Sequence, residues 1–299
     1  MTTNQKNVPC CPLCSNKSNQ LVELLHSEEL IKLWSDQKDM EISNILSGVS
    51  QISCYRCSNC SLGYFDPQTP GDDEFYGQLA DDDLYYLHEG KSEFLFSKKL
   101  ISPGSKVLDV GSGRGVFFNY LDLDIDYTGL ELSSAAVKLA RKDSINVLNS
   151  KIEDFAKNSD KKFDFVISFQ VLEHIDNIKS FMDSAIKLMD DHGKIILAVP
   201  NNQSFIQKTP NHILNLPPHH ILHWSKESLE CLASKFNLKV VEIFCERVSK
   251  AHLRSFYFSK IDHFIKRMFL IPFHQVNTSL TRTIISKIAW KFSNIIAST

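Results

Sequence analysis

Three groups of side chains in this 299-residue chain have types and spacing suited to chemistry. The first is a pair of cysteine turns, Cys11-Pro-Leu-Cys14 and Cys57-Ser-Asn-Cys60. Each C-x-x-C turn presents two thiolates on one bend, and two such turns complete a tetrahedral metal site. Structural zinc is the expected occupant, since four thiolates leave no open position for a reactant. Cys54 makes a second C-x-x-C with Cys57, so the register of the C-terminal pair stays open, and Cys10 stands beside the first pair. The second group is Asp109-Val-Gly111-Ser-Gly113-Arg-Gly115, with Glu131 about twenty residues past the first glycine. Glycines let a backbone turn tightly and approach a ligand. A carboxylate at that distance can accept from both hydroxyls of a ribose. A tight strand-to-helix turn would account for the glycines alone; joined to Glu131 and the acidic pair Glu153-Asp154, they indicate a nucleoside ligand. The dinucleotide fingerprint would want glycine at 116, where this chain has Val116. The third group is Pro217-Pro218-His219-His220-Ile-Leu-His223. Histidine exchanges protons near neutral pH, which suits a general base. Surface or helix-capping histidines are the plainer alternative.

These groups need elements to hold them. Lys106–Val110 is an apolar run that stops at the glycine cluster, so it reads as a buried strand, and Val116–Leu121 starts a helix. Tyr127–Leu132 is a second strand, with Ser133 or Ser134 capping a helix over Ala135–Lys142. A short third strand lies near Val147, and a fourth spans Phe163–Ser168. A helix over Ile178–Met189 stops near Gly193, and Lys194–Val199 is a fifth strand. Ser225 caps Lys226–Phe236, and Leu238–Phe244 is a further strand. Alternation of continuous apolar strands with helices predicts a doubly wound, Rossmann-like α/β fold with a mostly parallel, seven-stranded sheet. Ligands in such sheets bind beyond the carboxyl ends of the strands, where the glycine cluster with Glu131 and the histidine loop fall. The expected organisation is a zinc-binding module over 1–70, a helical linker or lid over 71–102, the core over 103–258, and a helical basic-apolar tail over 259–299.

The motifs KVLDVGSGRG (106–115), YTGLELS (127–133), FDFVISFQVLEHI (163–175) and HGKIILAVPN (192–201) resemble class I S-adenosylmethionine-dependent methyltransferases. The resemblance covers residues 103–245. It implies that Asp109, Gly111, Gly113 and Gly115 pass beside the cofactor, with Asp109 near its methionine end. It further implies that Glu131 holds the ribose, that Ile152 and Glu153 line the adenine, and that Gln170 faces the sulfonium. The rival is an NAD-type nucleotide-binding enzyme, which shares Gly111, Gly113 and Glu131 but not the LEHI segment. CPLC, the run CYRCSNCSLGYFDPQTPG (54–71) and YYLHEGKSEF (85–94) are similar to the zinc-knuckle front end of sugar and secondary-metabolite methyltransferases. The segment HHILHWS is similar to sugar C-methyltransferases. That similarity implies His220 as base, with His219 in place of an acidic neighbour. LEHI resembles ubiquinone-type O-methyltransferases, which implies a site-lining role for His174; capping the next helix is the alternative. Tyr85 and Tyr86 are candidates to close over the cofactor.

Composition bounds the rest. A net charge of -2 supplies no chain-wide basic field for nucleic acid, and Asp72–Asp83 is acidic. An RNA methyltransferase gripping its substrate through the cysteine module is therefore the second reading, and a non-catalytic binder the third. No apolar run reaches the ~18 residues of a membrane-spanning helix, and no leader-like apolar run opens the chain, so the expected compartment is the cytoplasm. The tail after Asp262 has no acidic residue but carries Lys266, Arg267, Arg282, Lys287 and Lys291. Ile284, Ile288, Ala289, Phe292, Ile295 and Ile296 share one helical face there. Packing on the core or on a dimer mate is expected of that face, with peripheral lipid contact as the alternative. The expected activity is methyl transfer from S-adenosylmethionine to a small molecule such as a sugar or sugar nucleotide.

Overall fold

A computed structural model describes residues 8–80, 91–122, 124–249 and 252–276, together with residues 284, 286, 287, 289, 290 and 293. Backbone contacts gather the chain into two units, Met1–Pro70 with Pro200–Thr299, and Gly71–Val199.

The N-terminal part of the first unit is built on strand β1 (Asn19–His26), helix α1 (Ser27–Lys38), β2 (Gln51–Cys57) and β3 (Gly63–Asp66). β1 and β2 pair antiparallel from Asn19↔Cys57 to His26↔Gln51, with a register shift between Leu21 and Glu23. β2 and β3 form the next antiparallel pair, from Ser53↔Asp66 to Arg56↔Gly63. Leu30, Leu33 and Trp34 recur at helical spacing and form the buried stripe of α1.

The second unit contains α2 (Asp73–Ala80), α3 (Ser92–Lys98), β4 (Lys106–Val110), β5 (Asp126–Glu131), α4 (Ser134–Lys142), β6 (Val147–Asn149), α5 (Ile152–Asn158), β7 (Phe163–Phe169), α6 (Ile178–Leu188) and β8 (Met189–Ala198). The strands form one sheet in the order β6-β5-β4-β7-β8, every pair parallel. The chain leaves central β4 in one direction and returns to its other side at β7, so the switch point lies between those two strands. β4 is buried from Val107 to Val110, as expected of a central parallel strand covered on both faces, and Val107 and Leu108 are fully buried. Phe94, Phe117 and Phe169 close a triangle of rings with centroids 5.0–5.2 Å apart. These tilted arrangements suit the ring quadrupole. Ser133 caps α4 by accepting from Ala136 N–H, and Asn177 caps α6 through Ser180 N–H.

Three expectations are corrected here. The sheet has five strands among the described residues, not seven. Leu238–Phe244 forms no strand, and Val241 is 78% exposed. A β-favouring pattern makes a strand only where a ladder partner and a covering face exist. The helix expected from Val116 is a single 3-10 turn, Val116–Tyr120, closed where Leu121 turns extended.

The C-terminal part of the first unit carries β9 (Leu222–His223), α7 (Lys226–Lys235) and α8 (Leu253–Met268). β9 pairs antiparallel with β3, Gly63↔His223 and Tyr64↔Leu222, completing the sheet β1-β2-β3-β9. Gly63 permits this approach: a Cβ there would lie 2.8 Å from His223 Cβ. Ser225 and Ser228 cap α7 reciprocally. In α8, Lys266 and Asp262 form a buried ion pair at 2.7 Å, and Ser286 Oγ donates to Asp262 Oδ1 at 2.8 Å. The added hydrogen bond helps offset the desolvation of the pair. Of the expected tail face, Ala289 is buried and Ile284 half exposed; Ile288, Phe292, Ile295 and Ile296 lie outside the described residues. Among the described residues no helix is long and apolar enough to cross a membrane.

Candidate functional site

The carboxyl edge of the parallel sheet gathers several of the expected residues. Asp109 lies one residue before the end of β4 and is 2% exposed, and Tyr127 Oη donates to its Oδ2 at 2.8 Å. Burial pushes the Asp109 carboxyl up to about 7; the Tyr127 hydrogen bond opposes this and the Glu131 charge adds to it. Gly111, Gly113 and Gly115 all hold positive φ, between 56° and 74°. Gly111 N–H and Ser112 N–H both donate to Leu130 O, so the loop folds back over the end of β5. There Glu131 accepts from Gly113 N–H at 2.9 Å and from Ser133 N–H at 2.7 Å, one oxygen each. A carboxylate has about four acceptor positions, so half its capacity remains for a ligand.

Gly111 is the tightest point of this loop. Its φ is 74°, and an added Cβ would lie 2.3 Å from Val171 Cγ2. Left-handed strain and overpacking act together in Gly111→Ala, which is expected to destabilise the second unit by about 2–4 kcal/mol. A drop in urea midpoint with unchanged slope would report it.

Ile152 is buried and Glu153 half-buried at the start of α5, directly after β6. Gln170 follows β7 with φ 57°, exposed, and its N–H donates to Ala198 O at 2.8 Å. Sequence reasoning missed Asn149. It pairs with Glu131 across β5 and β6, and its Nδ2 donates to Glu131 O at 2.9 Å and Leu132 O at 2.7 Å, pinning the strand end that presents the carboxylate. Its position opposite Glu131 at the next strand end was the available signal. His174 belongs to the same unit, and its Nδ1 meets Tyr76 Oη at 3.2 Å. Beside it Glu173 is buried, which pushes its carboxyl up to about 8. Tyr85 and Tyr86 lie outside the described residues.

The other expected histidines belong to the first unit. His219 and His220 stack with ring centroids 4.4 Å apart and planes 20° apart. His219 Nδ1 meets Leu214 O at 2.7 Å, and His220 Nδ1 meets Asn215 Oδ1 at 3.3 Å. His223 Nε2 meets Asn215 O at 2.8 Å, and burial lowers the His223 imidazole to about 4. Trp34 Nε1 donates to Pro217 O at 2.9 Å and ties this loop to α1. All three histidines are buried, not displayed on a surface.

Cys11, Cys14, Cys57 and Cys60 bring their Sγ atoms within 4.8 Å of one another. Cys11 and Cys60 are 3.6 Å apart, Cys14 and Cys57 3.5 Å. A tetrahedral zinc with bonds of about 2.3 Å spaces its sulfurs by about 3.8 Å, so the thiols fit that ion. Both turns are built alike. Cys11 N–H donates to Asn16 O and Ser15 N–H to Cys11 O; Cys57 N–H donates to Leu62 O and Ser61 N–H to Cys57 O. Ser15 and Ser61 both take φ 61° to close the turn. The shared Cys-x-x-Cys-Ser pattern carried this signal in the sequence. Cys54 is buried on β2 outside the cluster, its thiol pushed up to about 12 by burial, and Cys10 is exposed.

The family model described as a methyltransferase domain matches residues 83–243. A ubiquinone biosynthesis O-methyltransferase of Glaesserella parasuis is 26% identical over 214 residues, covering 62% of this chain and 86% of that protein. An uncharacterised protein of Methanocaldococcus jannaschii is 33% identical over 118 residues, covering 40% of this chain and 55% of that one. Over that second relative the match spans only about half its length. Among solved structures, a possible histamine N-methyltransferase of Thermotoga maritima has 21% identity and a TM-score of 0.42, covering 55% of this chain and 77% of that one. DesVI of Streptomyces venezuelae has 25% identity and a TM-score of 0.36, covering 41% and 58%. The matched family model spans more than half of the residues, and the chain belongs to the methyltransferase domain family.

Proposed function

We propose that the protein transfers a methyl group from S-adenosylmethionine to a small molecule of the sugar or sugar-nucleotide class, with His220 as the base. The observation that carries the donor assignment is the Glu131 carboxylate, fixed by the amides of Gly113 and Ser133 at a strand end and retaining acceptor capacity. Ile152 and Glu153 would flank the base of the nucleoside, and Gln170 the sulfonium. The raised Asp109 carboxyl suits a cation: a positively charged amine of the methionine portion would draw it into its ionised form. When bound, the donor supplies an electrophilic methyl on a sulfonium. The chain's own work is to align the acceptor and remove its proton. A hydroxyl acceptor is favoured by the similarity to an O-methyltransferase over most of that relative's length. His219, stacked on His220, is assigned a supporting position beside the base.

We further propose that Cys11, Cys14, Cys57 and Cys60 hold a structural zinc. The sulfur spacing and the matched backbone turns support it.

The test is methyl transfer to a panel of sugar nucleotides, hydroxylated metabolites and RNA, read by mass spectrometry. Transfer to a small hydroxylated acceptor is expected. In His220→Gln the turnover should fall by about 10²–10⁴, the contribution of a general base, while donor binding persists. Transfer to RNA alone would overturn the acceptor class, and full activity in His220→Gln would overturn the base.

A further inference from the structure

The loop bearing His219 and His220 is held by side-chain amides whose orientation can be traced from a fixed end. Pro200 presents a carbonyl oxygen, which can only accept. Asn202 Nδ2 donates to it at 3.5 Å. Asn202 Oδ1 therefore points the other way and accepts from Asn215 Nδ2 at 2.9 Å. That commits the amide nitrogen of Asn215, so its oxygen is the atom facing His220 Nδ1 at 3.3 Å. An imidazole nitrogen that faces an amide oxygen must carry the proton. Exchanging oxygen and nitrogen in both amides would set Asn202 Oδ1 against the Pro200 carbonyl, acceptor against acceptor.

The main chain of Asn215 is fixed as firmly. Its N–H donates to His212 O at 2.8 Å, and its carbonyl accepts from His223 Nε2–H at 2.8 Å. His223 is in turn pressed against β3, edge-on to Phe65 at 5.0 Å. Asn202, Asn215, His220 and His223 are all buried. An amide left unmatched there would carry its full desolvation cost, so the arrangement is strongly specified.

We propose that Asn215 is a positioning residue that holds His220 in the neutral tautomer with its proton on Nδ1 and its lone pair on Nε2. The catalytic meaning of this rests on the reading of His220 as base. In that tautomer the acceptor's O–H bond breaks as an Nε2–H bond forms, the oxygen attacks the methyl carbon with the electron pair it keeps, and the methyl's bond to sulfur breaks, leaving its pair on a neutral thioether. The imidazolium that results keeps its Nδ1–H bond to Asn215 Oδ1, now charge-assisted and stronger. In the opposite tautomer Nε2 would already carry hydrogen, and the only lone pair would face Asn215. Asn215 touches neither donor nor acceptor in this scheme; it acts through His220.

The experiment is ¹⁵N NMR of the full-length, histidine-labelled protein without donor or acceptor, with His220 assigned by difference from His220→Gln. A pyridine-type resonance at Nε2 and a pyrrole-type resonance at Nδ1 are expected for His220. In Asn215→Ala the two tautomers should mix. Turnover should then fall by about tenfold to a hundredfold, within what a general base contributes, with KM for S-adenosylmethionine unchanged. A purely structural role would not move the tautomer ratio. An Nε2–H tautomer in the wild-type protein would overturn the proposal without any variant, as would an unchanged ratio in a folded Asn215→Ala. The expected tautomer in a protein that methylates nothing would overturn the base role of His220 while leaving the tautomer assignment standing.

Discussion

Glu131→Ala is expected to weaken S-adenosylmethionine binding by about a hundredfold to ten-thousandfold. Each hydrogen bond to a charged acceptor is worth about 1.5–3 kcal/mol, and a ribose offers two hydroxyls to one carboxylate, so two such bonds give this range. The loop compounds the loss. Gly113 N–H and Ser133 N–H both use this carboxylate, and alanine leaves both donors to water and frees the glycine turn. Glu131→Gln separates the two contributions. A glutamine keeps the length and one acceptor oxygen, but its NH2 would face one of the two amide donors. It should therefore bind weakly yet retain more of the loop than alanine does. Calorimetry on folded protein decides the matter: wild-type affinity in Glu131→Ala would remove the central support of the proposed donor site.

That carboxylate was legible in the sequence because strand, glycine turn and acid follow one another within a short stretch. The five parallel strands were legible for a related reason, since each carries an apolar stretch bounded by turn or polar residues. Leu238–Phe244 shows where that reasoning ends. Its residues favour a strand, but a strand exists only with a partner, and pattern does not supply one. β9 is the converse case. Two residues, Leu222 and His223, carry no periodicity, yet they join a sheet with residues 63 and 64 because Gly63 leaves room for His223. This long-range pairing, and the grouping of residues 1–70 with 200–299, have no local signature. Asn215 escaped notice for the same reason: an asparagine between regular elements acquires its meaning from partners that only the fold brings near. The histidines were visible as a cluster, but their burial and stacking were not.

Removing zinc is expected to cost the first unit its order while sparing donor binding. Apparent binding free energies for structural zinc are about 10–16 kcal/mol, against a total stability of about 5–15 kcal/mol for an ordinary domain. Four thiols left within 4.8 Å of one another would then have no cation to hold them. The consequences should travel along β2, which Cys57 ends, to β3 and then to β9, where His223 supports Asn215 and through it His220. Trp34 and Trp224 are fully buried in this unit, so their emission should shift to longer wavelength on chelation. Glu131, Gly113 and Asp109 belong to the other unit, and the contacts that hold them, from Tyr127, Ser133 and Leu130, lie within it. The expected pattern is therefore split: one zinc released per chain, methyl transfer lost, S-adenosylmethionine still bound. Cys57→Ser should reproduce it. A metal-free protein with unshifted tryptophan emission and full activity would show that the four cysteines hold their turns without an ion. Loss of donor binding together with transfer would instead show that the two units fold as one cooperative body, with the zinc stabilising both.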